Sequence, residues 1–90
     1  MHFFEFDPMK SAANKLKHGI DFEEAADVWN DERLIEIPAL TVDEQRFLAI
    51  GTIAGKHWAA VYTKRGDAIR LISARRARKS EVEIYESAEL

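Results

Sequence analysis

The chain has 90 residues, of which 47% are hydrophobic and 32% are charged, and its formal net charge is −3. This composition predicts one small globular domain over residues 1–90 and argues against a disordered chain. The absence of cysteine excludes disulfides, thiolate metal sites and a cysteine nucleophile. No apolar run approaches the roughly 20 residues that span a bilayer. Because residues 1–8 carry acids and a proline, unlike a secretory signal, a bacterial cytoplasmic location is expected.

The N-terminal residues predict a short strand and a first helix. The stretch FFEF at residues 3–6 is a strand candidate. Asp7-Pro8 is typical of a helix N-cap followed by proline at the first helical position. This helix should end near His18, because Gly19 suits the left-handed conformation that terminates helices.

A second helix is predicted after that glycine. Asp21 and Glu24 have the spacing of a capping box, which marks a helix start. Apolar residues then recur at helical spacing, so this helix should pack one face on the rest of the fold. The predicted packing residues are Phe22, Ala25, Ala26 and Trp29, together with Leu16 of the first helix. The acidic residues of the segment 21–32 are interpreted as a solvated helix face.

The hydrophobic period changes near residue 33, and four strands are predicted from there. Pro38 either ends the first of these strands or places it at the edge of a sheet, since proline cannot donate a ladder hydrogen bond. Ala54-Gly55 is a tight-turn candidate between the second and third of these strands. The strands are predicted at 33–40, 45–53, 56–63 and 68–75.

A short C-terminal helix is predicted to open with a capping box formed by Ser80 and Glu83. The element order is then one strand, two helices, four strands and one helix. This order predicts an α+β fold, in which an N-terminal helical hairpin packs on an antiparallel β-meander.

Charge is unevenly distributed along the chain. Residues 56–79 hold eight basic residues and one acid, whereas the remainder holds five basic residues and fifteen acids. This asymmetry predicts that one side of the domain binds a polyanion. Internal pairing of strand cations with helix acids would also explain the asymmetry. The residues expected to form one continuous positive surface are Lys56, Arg65, Arg70, Arg75 and Arg76.

Arg70 is the most informative of these cations, because it interrupts an apolar strand. A guanidinium in such a strand needs a carboxylate or phosphate partner. Two interpretations stay open: an ion pair to Glu36, Glu44 or a helix acid, and a phosphate clamp. Strict alternation places Arg70 on one face with Ala74 and Arg76, and Arg75 on the other face with Ile69 and Leu71.

Four segments of the chain resemble the BrnT family of type II toxins. They are FEFDPMKSAANKLKHGIDFEEAADVW, DEQRFLAIG, VYTKRGDAIRLISARRA and EVEIYE. The resemblance covers nearly the whole chain and implies a fold similar to the RelE and ParE toxins. It also implies a ribonuclease that blocks translation, and a BrnA-like antitoxin partner with a ribbon-helix-helix part that carries any contact to operator DNA.

Metal-independent RNA cleavage needs a base for the 2′-OH, cations for the scissile phosphate and an acid for the 5′-oxygen. The groups that could supply these roles are Arg46, His57, Tyr62, Arg65, Arg70 and Arg75. Further RNA-binding candidates are Lys17, Lys56, Lys64 and Arg76. Neither a metal ion nor another cofactor is expected, because Glu5 and Asp7 have no metal-ligand spacing with any histidine.

The chain departs from the family pattern at one point. Many family members carry a His-Ser pair where this sequence reads Ala39-Leu40-Thr41. This departure leaves an alternative function: a non-catalytic partner that binds an antitoxin and modulates its DNA binding.

Overall fold

The computed structural model describes residues 2–40 and 43–88, which form three helices and a five-stranded sheet. The predicted α+β class is confirmed. The strands are β1 (Phe3–Glu5), β2 (Ile35–Ala39), β3 (Arg46–Ile53), β4 (Lys56–Arg65) and β5 (Ala68–Arg76). The helices are α1 (Pro8–His18), α2 (Phe22–Ala25), which continues as a 3₁₀ segment (Ala26–Asn30), and α3 (Lys79–Ser87). Among the described residues, no helix is both long and apolar enough to cross a membrane.

The local signals that begin and end the first helices are confirmed. The Asp7 carboxylate accepts a hydrogen bond from the Met9 backbone N–H at 2.9 Å. Asp21 and Glu24 form the reciprocal capping box that opens α2. Gly19 ends α1 with a φ of 80°, a left-handed conformation that costs glycine no steric strain.

The sheet is mixed, with strand order β1-β5-β4-β3-β2. Strands β2 to β5 pair antiparallel in sequence order, whereas β1 pairs parallel with β5. The sequence predicted antiparallel strands only, because three residues of β1 carry no signal for the partner they choose. The parallel register places Phe4 beside Ile69 and Glu5 beside Arg70.

A β-bulge in β5 changes which residues share a face. Leu71 pairs with Tyr62 and Ser73 pairs with Val61, so Ile72 is an extra residue that has no counterpart in β4. The alternation of side chains therefore shifts by one residue after Leu71. The predicted alternation is wrong beyond this point: Arg70 and Arg75 share a face, and Arg76 lies on the other.

One face of the sheet, which we call the helix face, packs against α1, α2 and the 3₁₀ segment. Phe22, Ala25 and Val28 are fully buried there against sheet residues that include Tyr62 and Leu71. Ala26 and Trp29 are partly buried against the same cluster. Leu16, which was predicted to join them, is instead 91% exposed.

Polar side chains, not apolar ones, dock α1 on the helix face. The buried Asn14 amide nitrogen donates to the carbonyls of Ile20 and Ala74, both at 2.8 Å. Its Oδ1 accepts from the Ala74 N–H at 3.2 Å. The buried Ser11 hydroxyl accepts from the Phe22 N–H at 2.9 Å. These bonds fix the rotation of α1, and Leu16 consequently points away from the core.

The opposite face of the sheet, which we call the open face, is covered by α3 near one end. Tyr85 of α3 packs on Leu48, Ile50 and Ala59. The predicted Ser80–Glu83 capping box is wrong: α3 begins at Lys79, and Glu81 accepts from the Arg78 N–H at 2.7 Å. Glu81 is also bound to Arg75, so a tertiary contact sets where the helix begins.

Replacing Asn14 should test the polar docking of α1. Asn14→Ala would leave the Ala74 N–H and two carbonyls without partners, so we expect the free energy of unfolding to fall by about 2–4 kcal/mol. For a domain of this size, each kcal/mol corresponds to a drop of about 4–8 °C in Tm. Thermal unfolding would measure this drop in Tm, and Lys17→Ala, on the exposed side of α1, is the control variant. An unchanged Tm for Asn14→Ala would contradict the docking role.

Candidate functional site

A row of residues crosses the open face at one level of the sheet. Ala39 pairs with Arg46, Thr63 pairs with Arg70, and Arg70 pairs with Glu5. Arg46 lies one residue beyond the Phe47–Tyr62 pair and therefore opposite Thr63. Since each strand is spaced about 4.8 Å from the next, the Cα atoms of Arg46 and Arg70 are about 10 Å apart. We call Arg46, Thr63, Arg70 and Glu5 the cationic row.

Arg70 pairs with Glu5 of β1, and not with the Glu36, Glu44 or helix acid that the sequence suggested. One nitrogen, Nη1, lies 3.3 Å from Glu5 Oε1, and the two side chains are 35% and 42% exposed. Strong charge-assisted bonds are shorter, at about 2.7–2.9 Å. An exposed pair of this kind contributes only about 0–1 kcal/mol. A phosphate could therefore replace Glu5 on Arg70 at small energetic cost.

Arg65 adds a third cation at this end of the sheet, and a hydrogen bond of Thr63 fixes the backbone beside Arg46. Arg65 lies two residues beyond Thr63 on the same face, and its Nη2 is 3.4 Å from Glu44 Oε2 with both side chains about half exposed. The Thr63 hydroxyl is buried and donates to the Gln45 carbonyl at 2.7 Å. This bond anchors the chain immediately before Arg46. The exposed Arg46 side chain therefore projects from a fixed backbone.

Arg75 shares the open face but is held by α3. Its Nη1 and Nη2 donate to the two carboxylate oxygens of Glu81 at 2.7 and 2.9 Å. The side chains are only 22% and 10% exposed. This bidentate contact raises the pKa of Arg75 and lowers the pKa of Glu81. Arg75 thus fits the structural interpretation, an internal ion pair that fastens α3 to the sheet.

His57 lies at the α3-covered end, away from the cationic row. Its Nε2 is 3.0 Å from Glu86 Oε1, and its ring contacts the Tyr85 ring edge-on at a centroid distance of 5.0 Å. His57 and Thr63 are six positions apart in β4, which corresponds to about 20 Å along an extended strand. The structure therefore does not bring His57 together with Arg70.

Tyr62 lies on the helix face, within the core. Its hydroxyl donates to Glu36 Oε2 at 2.6 Å, and the Trp29 indole N–H donates to Glu36 Oε1 at 3.2 Å. Burial, and then the hydrogen bond and charge of Glu36, raise the pKa of Tyr62. The structure does not bring this hydroxyl to the cationic row either.

The remaining RNA-binding candidates lie on the helix side of the sheet or at its margin. Arg76 stacks on Trp58, and Lys64 lies over the Phe47 ring at 4.9 Å from its centroid. Lys56 shares the face of Trp58, and Lys17 is exposed on α1. The predicted single positive surface is thus not formed, because its members divide between two faces and three of its arginines contact carboxylates.

Sequence reasoning missed two carboxylates. The sequence presents Glu5 only as a possible metal ligand, and its place beside Arg70 depends on the parallel pairing of β1. Asp31 was assigned to a solvated face, yet it joins three elements. Its carboxylate accepts from the Tyr85 hydroxyl at 2.6 Å, and from the Thr52 N–H and hydroxyl at 2.8 and 2.9 Å. Partial burial alone would raise the pKa of Asp31, but these bonds and one from the Arg33 N–H lower it to about 2.

Comparison with known families gives one match. A family model described as "Ribonuclease toxin, BrnT, of type II toxin-antitoxin system" matches residues 6–81. The matched region contains Arg46, Thr63 and Arg70 of the cationic row, and Glu5 directly precedes it. A search of curated proteins finds no match. Thr41, which belongs to the departure from the family pattern, lies outside the described residues, whereas Ala39 ends β2 beside Arg46.

The lowered pKa of Asp31 predicts an acid-sensitive contribution to stability. The pKa is about 2 in the folded chain against an ordinary 3.8, so the folded state favours the carboxylate. Its contribution should be complete above about pH 4 and should be lost as the pH falls through about 2. The difference in unfolding free energy between the wild type and Asp31→Asn should therefore shrink over that window in denaturant titrations.

Asp27→Asn, which changes an exposed carboxylate of the same segment, is the matched control for Asp31→Asn. A gap between wild type and Asp31→Asn that stayed constant from pH 5 to pH 2 would contradict the assigned role.

Proposed function

The chain belongs to the BrnT family of ribonuclease toxins of type II toxin-antitoxin systems, and we propose that its cationic row binds the scissile phosphate of RNA. The observation that carries this proposal is the alignment of Arg46 and Arg70 across Thr63 on an exposed sheet face. Arginine suits this role, because its planar fork matches two phosphate oxygens and stays charged at any physiological pH.

The two arginines would act mainly in the transition state. Attack on the phosphate adds negative charge to its non-bridging oxygens, and fixed cations stabilise that charge. Long side chains from Cα positions about 10 Å apart can converge on one phosphate from both sides. Arg65, which lies two residues beyond Thr63 in β4, would contact a neighbouring phosphate of the RNA backbone.

Glu5 is the group we assign to accept the proton. Its carboxylate contacts Arg70, so a phosphate held by Arg70 would bring the adjacent ribose close to Glu5. Glu5 would take the proton of the 2′-OH as the 2′-oxygen attacks phosphorus and the bond to the 5′-oxygen breaks. Water would protonate the leaving 5′-oxygen, and Glu5 would return its proton to the resulting hydroxide. The products are a 2′,3′-cyclic phosphate and a 5′-hydroxyl, and no metal ion takes part.

Family membership implies an antitoxin partner. We propose that this partner is a BrnA-like ribbon-helix-helix protein, that operator DNA is contacted only through it, and that the toxin acts on RNA in the bacterial cytoplasm. The helix-and-sheet arrangement is compatible with a RelE-like toxin fold.

Cleavage of a defined RNA by the purified chain tests the proposed function. We expect cleavage in the presence of EDTA, products with a 2′,3′-cyclic phosphate, and no cleavage where the attacking ribose is replaced by 2′-deoxyribose. Growth arrest with loss of RNA should follow expression of the chain alone. A folded chain that binds its antitoxin but neither arrests growth nor cuts RNA would instead support the non-catalytic alternative.

Arg70 variants should separate the phosphate clamp from a structural role. Arg70→Ala should lower the cleavage rate by about 10²-fold, as the loss of a transition-state donor does. Arg70→Lys keeps the charge but loses the fork, so it should recover only part of that rate. Tm should change little, because the pair with Glu5 is only partly buried and its bond is long.

Arg76→Ala, on the same strand but the opposite face, is the matched control and should cleave RNA at the wild-type rate. Full activity in a folded Arg70→Ala protein would refute the clamp. Loss of activity together with a large drop in Tm would mean that Arg70 is a structural residue.

Glu5→Gln should test the proton acceptor. The amide keeps the shape of the side chain but cannot accept the proton, so cleavage should slow by about 10²–10⁴-fold. RNA affinity, measured by fluorescence anisotropy on an uncleavable 2′-deoxy strand, should stay the same or rise as one negative charge is removed. A Glu5→Gln variant that cut RNA at the wild-type rate would exclude Glu5 as the base.

A further inference from the structure

Helix α1 presents its apolar residues to solvent. Met9 and Leu16 are 83% and 91% exposed, and Ala12 and Ala13 between them are also exposed. At about 100° per residue, these four positions form one stripe, directly opposite the side that docks on the sheet. An amphipathic surface helix normally has the reverse arrangement, with its apolar stripe against the core.

A mainly apolar groove of about 580 Å³ runs beside this stripe. Phe6, Pro8, Ala12 and Leu16 supply its apolar lining, and Lys15, Asp21 and Glu23 lie at its polar margin. The groove and the stripe share Ala12 and Leu16, so they form one continuous surface. We call the stripe and the groove together the α1 surface.

We propose that the α1 surface docks an amphipathic helix of the antitoxin, whose apolar stripe covers Met9 and Leu16. The family implies an antitoxin partner, and the proposal rests on that partnership, not on the cleavage reaction. Lys10 and Lys17 flank the stripe on the side away from the groove, both exposed. Charge complementarity therefore assigns acidic residues to the flank of the partner helix that faces these lysines.

The same charges argue against a second copy of the chain as the occupant. In an antiparallel two-fold packing of two α1 stripes, Lys10 and Lys17 of both copies would lie on the same side of the interface, and like charges repel. The stripe is also short, since the seven-residue step from Met9 to Leu16 covers about 10 Å. A stable interface buries about 800 Å² per partner, so the stripe would be the apolar centre of a larger contact.

Binding of the purified antitoxin to the purified chain tests the proposal, by titration calorimetry in the absence of RNA. Leu16→Glu and Met9→Glu should each weaken binding by about tenfold or more, because a charge would lie in the apolar centre of the contact. Ile84→Glu, an exposed apolar position on α3, is the matched control and should bind as the wild type does. Lys17→Glu should weaken binding more at low salt than at high salt.

Three outcomes would overturn the proposal. Wild-type affinity in both folded variants would show that the antitoxin binds elsewhere. If the Ile84→Glu control weakened antitoxin binding equally, the loss of binding would not be specific to the α1 surface. A wild-type chain that sediments alone as a dimer, and that Leu16→Glu converts to a monomer, would identify a second copy as the occupant. Leu16→Ala provides the same binding test if the Leu16→Glu chain unfolds. Because no RNA is present, these results are independent of whether the cationic row cleaves RNA.

Discussion

The extra residue in β5 decides which side chains of that strand face the helices and which face the other side of the sheet. Without the bulge at Ile72, Leu71 and Ala74 would face opposite sides of the sheet, and the core beneath α1 and α2 would lose one of them. With it, both residues face the core, while Arg70 and Arg75 share the open face. One inserted residue therefore completes the helix-face core. It also places Arg70 and Arg75 on the open face and Arg76 on the helix face.

The two open-face arginines of β5 differ in how firmly their carboxylate partners hold them. Arg75 makes two short bonds to a largely buried carboxylate, and separating such a pair leaves a charge without compensation. Arg70 makes one long bond to a half-exposed carboxylate, and water can replace that partner easily. The open face thus divides along its length. At its α3-covered end, Arg75 and His57 are held by contacts to α3, and its other end carries the cations that we propose bind RNA.

The sequence predicted what is decided locally. The caps at Asp7 and Asp21, the glycine stop at Gly19 and the tight turn at Ala54-Gly55 depend on neighbouring residues, and all are present. The bulge, the parallel partner of β1 and the start of α3 depend on contacts between residues far apart in sequence, and no local pattern specifies them.

The candidate site was predictable only in part, for the same reason. Arg70 was identified because a guanidinium in an apolar strand is conspicuous. The strand register that places Arg46 opposite Thr63, and Glu5 beside Arg70, cannot be predicted from the sequence. Leu16 was assigned to the core because helical spacing reports which residues share a side. It does not report which side docks, and Asn14 and Ser11 determine that through hydrogen bonds.

The two proposed surfaces lie on opposite sides of the sheet, and this has a consequence for neutralisation. A single helix seated on the α1 surface cannot also cover the cationic row. Phe6, which lines the groove, directly follows Glu5 at the end of the edge strand β1. A segment leaving the groove therefore has to pass only the edge of one three-residue strand to reach the Glu5–Arg70 pair. On these proposals, one antitoxin chain would neutralise the toxin through two contacts: an apolar anchor on α1, and a following segment that competes with RNA for Arg70. An acidic residue in that second segment would occupy the guanidinium as phosphate does.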